Sequence, residues 1–134
     1  MQIKVLFIPH AVEHYNIGLS EELKKSTKLI LLTTKRLETK AKQIIIPALQ
    51  FQLLEDYSGR LLRKISIVIF QKFHDVIHVN TASEGLFAGN FNKMVLTEHG
   101  WPDPRFVETH ERKFYEKEQM ALLQLHKMGV PIVT

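Results

Sequence analysis

The residues best suited to chemistry lie in the run from Lys93 to Pro104, KMVLTEHGWPDP. Met94-Val95-Leu96-Thr97 is a short apolar run that reads as a buried strand. Glu98, His99 and Gly100 then set a carboxylate, an imidazole and a permissive backbone position where that strand must stop. Two prolines in Trp101-Pro102-Asp103-Pro104 prevent the ladder or a helix from continuing. In open α/β sheets the carboxyl ends of the strands are where ligands sit. A ligand-facing His99 can donate a hydrogen bond to a hydroxyl, a carbonyl or a phosphate. The plain alternative is a polar strand cap followed by a stiff loop.

Two more polar clusters follow apolar runs: Pro9-His10…His14…Gly18 after the first, and Asn80-Thr81 after the fourth. The first of these precedes a helix, whose free N–H groups and dipole favour an anion, and Gly18 would let a phosphate come close to the backbone. No G-x-G-x-x-G and no Walker lysine motif is present, which argues against a dinucleotide fingerprint or a P-loop. A metal centre is not expected. His74 and His78 would lie roughly 13 Å apart if both were extended, and His110-Glu111 lacks the second histidine of HExxH. Without cysteine or G-x-S-x-G, His99 has no nucleophile to serve, so a self-contained hydrolase is disfavoured.

These clusters need strands and helices to position them. Val5 to Ile8 reads as a central strand covered on both faces. Pro9 to Ile17 reads as a loop, and Gly18 and Ser20 open a helix that ends near Ser26. Thr27 to Thr33 is a second strand, and Gln43 to Ile46 a short third one. From Ser58, Leu61, Leu62, Ile65, Val68, Ile69 and Phe73 recur three and four apart, the spacing of a helix, and share one face. Arg60, Arg63, Lys64 and Gln71 lie on another face, with Ile67 among them. Val76 to Val79 is a fourth strand, a short helix lies within Ser83 to Asn92, and Lys93 to Thr97 is the fifth strand. Thr109 caps a long helix with a buried stripe of Leu122, Leu125 and Met128. Gly129 serves as its C′ residue, and Val130 to Val133 is a last strand.

This alternation predicts an α/β fold, a Rossmann-like doubly wound parallel sheet with helices on both faces. In such a sheet the first and fourth strands flank the switch point, so His10, Asn80 and His99 are expected on one rim. The 134 residues make one domain, and no run is long enough to span a membrane. The net charge of +4 is modest, and the lysines scattered between Lys24 and Lys42 have no aromatics interleaved among them, so no nucleic-acid partner is expected.

From Asp75 onward the chain resembles the N-terminal domain of the family 4 glycosyltransferases, which have the GT-B fold. The matching pieces are Asp75-Val-Ile-His78-Val-Asn80, Val95-Leu-Thr-Glu-His99-Gly100 and the long helix leading to Gly129-Val-Pro-Ile-Val-Thr134. The resemblance implies retaining transfer of a sugar from a nucleotide-sugar donor to a glycan or lipid-linked acceptor. His99 would be the catalytic residue beside the reacting carbon. His10, His14, Gly18, Asn80, Thr81, Glu98 and Gly100 would line the donor and substrate cleft. The usual double-glycine loop after the first strand is represented by one glycine, Gly18. No cofactor or metal is implied.

The C-terminal GT-B domain, with the glutamate pair and most nucleotide contacts, has no counterpart in these residues. The chain is therefore expected to be the acceptor-side half of a two-domain cytoplasmic enzyme and inactive alone. It is also a candidate homodimer, and its helix bearing Arg60, Arg63, Lys64 and Ile67 a candidate peripheral membrane contact. The competing reading is a stand-alone flavodoxin-like nucleotide-binding or regulatory module.

Overall fold

The computed structural model describes residues 2–9, 13–33, 35–46, 60–98, 105 and 108–133. Its elements in order are β1 (Lys4–Ile8), α1 (Glu13–Ser26), β2 (Lys28–Thr33), β3 (Lys42–Ile45), α2 (Arg60–Gln71), β4 (Val76–Val79), α3 (Ala82–Ala88), β5 (Met94–Thr97), α4 (Thr109–Lys127) and β6 (Ile132–Val133). The strands form one six-stranded parallel sheet in the order β3-β2-β1-β4-β5-β6. This is the Rossmann-like doubly wound order, with the sequence starting mid-sheet and reversing between β1 and β4. A flavodoxin-like sheet would place β3 elsewhere, in the order 2-1-3-4-5. Here β3 lies outside β2, with Ile30 opposite Lys42 and Thr33 opposite Ile45.

By internal contacts the chain divides into two compact units, Met1–His78 and Val79–Thr134. In the first, Lys4 to Phe7 pair in register with Lys28 to Leu31. Val5, Phe7, Leu29 and Leu31 share one face of this ladder and are buried with Leu37 and Ala41. Ile17, Leu19 and Leu23 of α1 pack against that cluster. Leu6, Ile8 and Leu32, which alternate with them, are buried too. A strand covered on both faces reads as a continuous apolar run, and VLFI in β1 is one. His78 is a packed strand histidine: it is buried, and its ring lies 4.9 Å from that of Phe7.

In the second unit the core is built from Val79, Ala82, Ala88, Met94, Leu96, Ala121, Leu125 and Val130. The chain leaves α3 through Gly89 at φ 68° and Asn90 at φ 56°. Glycine and asparagine are the residues that enter this left-handed region at least cost, so the Gly-Asn pair accounts for the reversal into β5. Gly129, at φ 80°, ends α4 in the same way.

The structure shows which way α2 faces and corrects two expectations in α4. The face of α2 formed by Leu61, Leu62, Ile65, Val68, Ile69 and Phe73 is exposed, whereas Ser66 and Ile67 are buried. Helical periodicity identifies side chains that share a face but leaves open which way the face points. Thr109 is the first helical residue of α4 rather than its cap, because Glu108 occupies the cap position and its carbonyl accepts from the N–H of Arg112. The buried stripe of α4 is Glu118, Ala121 and Leu125, and Met128 at its end is exposed.

Candidate functional site

The residues singled out by sequence divide into three groups. His10, His99 and Gly100 lie outside the described residues, and so do two of the three members of the expected rim of His10, Asn80 and His99. His14 and Gly18 belong to α1, which begins at Glu13 and not near Gly18. This corrects the expectation of a loop from Pro9 to Ile17 with Gly18 at the helix entry. Gly18 lies in the second turn of a helix, exposed, and a methyl group built on it would meet nothing within 4 Å. Its amide therefore belongs to the helical ladder rather than to the free first turn that binds anions. Asn80, Thr81 and Glu98 form the third group and are the ones whose surroundings can be followed.

Asn80 and Thr81 leave β4 directly. Asn80 is buried and Thr81 half-buried. Thr81 is the N-cap of α3, with extended φ and ψ, and its hydroxyl oxygen accepts from the Glu84 N–H at 3.4 Å. That distance makes it a weak cap. The Gly85 N–H donates to the Thr81 carbonyl at 3.1 Å and begins the helical ladder. The remaining first-turn donors are met from a distant part of the chain. Ala82 N–H donates to Glu118 Oε2 at 3.0 Å, and Ser83 N–H lies 3.2 and 3.3 Å from the two carboxylate oxygens. Glu118 is 2% exposed.

A buried carboxylate thus stands at the helix end in the position an anionic ligand takes in nucleotide-binding folds. The N–H groups of Ala82 to Gly85 are all engaged within the protein. Sequence reading missed Glu118. Its signal is its spacing, three residues before Ala121 and seven before Leu125, which puts it on the inward stripe.

Glu98 follows β5 immediately. Its N–H donates to the Val133 carbonyl at 2.7 Å and extends the pairing of Leu96 with Ile132 and Thr97 with Val133. The Glu98 backbone is therefore fixed by the β5–β6 ladder, and its side chain is half-buried at the carboxyl end of β5. Asn80 and Thr81 follow β4, whose Ile77, His78 and Val79 are buried, and Glu98 follows β5, whose Met94 and Leu96 are buried, which gives a rigid base for polar groups.

In the first unit a smaller polar cluster ties α1 to the connection between β2 and β3. Glu21 Oε1 accepts from the Thr39 hydroxyl at 2.9 Å and from the Lys40 N–H at 3.0 Å. These two donors, the backbone N–H foremost, hold the Glu21 carboxyl below the usual carboxylate range. The cluster anchors the helix to that connection. Among the described residues no three His, Asp or Glu side chains are grouped so as to hold a metal ion, and no helix is long and apolar enough to cross a membrane.

Comparison with protein-family models, with curated proteins and with solved structures gives no match for this chain.

Proposed function

We propose that this chain is the acceptor-side, N-terminal half of a retaining glycosyltransferase that moves a sugar from a cytoplasmic nucleotide-sugar donor to a glycan or lipid-linked acceptor. The observation that carries the reading is the sequence Val95-Leu-Thr-Glu-His99-Gly100, which leaves the carboxyl end of β5 in a parallel sheet of Rossmann-like order. The same order supports an N-terminal GT-B half over the flavodoxin-like alternative. The engaged amides at the start of α3 support it further, since that helix then leaves the donor diphosphate to another domain. His99 takes the catalytic position beside the reacting carbon. Asn80, Thr81 and Glu98 line the cleft. Gly18, inside α1, loses the diphosphate role that a loop position would have allowed.

On this reading the groups that stabilise the leaving phosphate belong to the other half of the enzyme, so these residues alone cannot direct binding energy to the transition state. The test mixes the 134 residues with nucleotide sugars and acceptor glycans, and follows both transfer and backbone amide shifts. The expected result is no transfer, weak donor binding, and acceptor-induced shifts at Asn80, Thr81 and Glu98. Robust turnover by this chain alone, or tight binding of a nucleotide or flavin, would refute the reading.

A further inference from the structure

The inward stripe of α4 continues past the layer it covers. Phe114, Glu118, Ala121 and Leu125 stand at i, i+4, i+7 and i+11 and so share one face of the helix. The last three are buried, whereas Phe114 is 45% exposed. The contacts of α3 supply the reason. Ala82 and Ser83 donate to Glu118, and a methyl group built on Gly85 would lie 2.9 Å from Leu125 Cδ1. A step forward along α3 is therefore a step forward along α4, and the two helices run in the same sense. Residues before Glu118 extend past the first residue of α3. Phe114 stands one turn earlier, about 6 Å along the axis, which carries it beyond the α3 entry on the side of the turn bearing Thr81.

The Phe114 ring has a neighbour that fixes its attitude. The Tyr115 ring lies 5.4 Å away at 73°, an edge-to-face pair, and Tyr115 is half-buried. An aromatic ring is thus kept open to solvent at a polar rim. The groups around it select the ligand. Glu111, three residues earlier on the same face, is exposed, and Thr81 and Ser83, both half-buried, carry hydroxyls. The Glu118 carboxylate lies one turn later. Carboxylate and hydroxyl oxygens accept hydrogen bonds from the hydroxyls of a ligand, and the electron-rich face of an aromatic ring attracts C–H groups. The two carboxylates repel an anion. A neutral pyranose offers hydroxyls on its edge and C–H groups on its face, whereas a phosphate offers neither.

We propose that Phe114 is a stacking platform for a neutral sugar ring, with Glu111 and the Thr81 hydroxyl as partners of the ring hydroxyls. That this sugar belongs to the acceptor rests on the acceptor-side reading above. The platform itself stands on the geometry of α3 and α4.

The test titrates the full 134-residue chain with lactose, cellobiose and maltose, and with uridine for comparison, while NMR follows the Phe114 ring protons and the backbone amides. The disaccharides are expected to shift the Phe114 ring and the Thr81 amide together. Phe114→Ala should weaken binding roughly three- to tenfold, as for the loss of one aromatic contact, and Phe114→Trp should retain it. Phe73→Ala, which removes an exposed ring beyond the end of α2, should bind as the unaltered chain does. Circular dichroism checks the fold of each variant.

An unshifted Phe114 ring with all three sugars would overturn the proposal. So would undiminished binding by Phe114→Ala, equal loss in Phe73→Ala, or a shift by uridine alone, which would assign the ring to a nucleobase. Sugar-induced shifts at Asn80 and Glu98 that persist in Phe114→Ala would overturn the platform and leave the acceptor-side reading in place. Sugar stacking on Phe114 in a chain that transfers sugar unaided would support the platform and refute that reading.

Discussion

Removing the carboxylate of Glu118 tests the account of the α3 entry most directly. The side chain is 2% exposed and accepts the N–H groups of Ala82 and Ser83. In Glu118→Ala both donors lose their acceptor, and each buried unsatisfied group costs about 1–3 kcal/mol. Ser83 is only half-buried, so water entering the vacated space recovers part of this, leaving about 2–4 kcal/mol. In a domain of this size that corresponds to a fall in melting temperature of roughly 6–20 °C. Glu118→Gln keeps one acceptor oxygen but loses the charge and turns an NH2 group toward the helix entry, so about 1–2 kcal/mol is expected.

Glu116→Ala, two residues away and exposed, serves as the control and should change stability by less than about 0.5 kcal/mol. Urea unfolding gives the energies, and amide hydrogen exchange shows whether Ala82 and Ser83 lose protection first. The reasoning fails if Glu118→Ala and Glu116→Ala unfold at the same denaturant concentration. It also fails if protection at Ala82 and Ser83 is unchanged.

Two glycines inside helices should respond to alanine with opposite signs. Gly18→Ala adds a methyl where nothing lies within 4 Å and should stabilise the protein by about 0.5–1 kcal/mol through helix propensity. Gly85→Ala sets the methyl 2.9 Å from Leu125 Cδ1 and 3.1 Å from Met94 Sδ. Overpacking of about 1–3 kcal/mol should outweigh the same propensity gain, and the difference in sign is read from urea midpoints. The Glu21 carboxyl is held below its unfolded value by the Lys40 N–H and the Thr39 hydroxyl. Its contribution to stability is therefore full above the unfolded value and is lost as pH falls through the folded one. A carboxyl-detected NMR titration should find Glu21 titrating on the acid side of an unperturbed glutamate side chain, and Glu21→Gln should flatten the stability profile in that acid window. Glu21 titrating as an unperturbed glutamate does would count against it.

What the sequence could and could not reveal follows from the kind of signal each element carries. β1, β2, β4 and β5 are short apolar runs bounded by turn residues, and burial on both faces leaves little else for such runs to be. The start of α1 was hidden because Glu13, His14, Tyr15 and Asn16 form a polar first turn without an apolar period. Asn16 is buried, but pattern reading assigns such a residue to a loop. For α2 the grouping of Leu61, Leu62, Ile65, Val68 and Ile69 on one face was legible, but its direction was not, since periodicity has no inside or outside of its own. Glu118 was illegible for another reason. A glutamate at a stripe position reads as a solvated edge until its partner is known, and the partner amides of Ala82 and Ser83 lie 36 and 35 residues earlier.

The closed entry of α3 bears on how labour could be divided in the proposed reaction. Rossmann-like sites that hold a dinucleotide leave the first-turn amides of a helix open to phosphate. In α3 the same amides meet Glu118, and the carboxylate is tethered to α4, so its effective concentration there is high. A diphosphate arriving at that point would have to expel a charged group from a buried position and take its place, with repulsion between the two anions throughout. The charge on a nucleotide-sugar donor must therefore be met by other groups. A chain that contributes strand ends bearing Asn80, Thr81 and Glu98 while closing its α3 helix entry to anions suits the acceptor side of a cleft better than a self-sufficient nucleotide site on that helix.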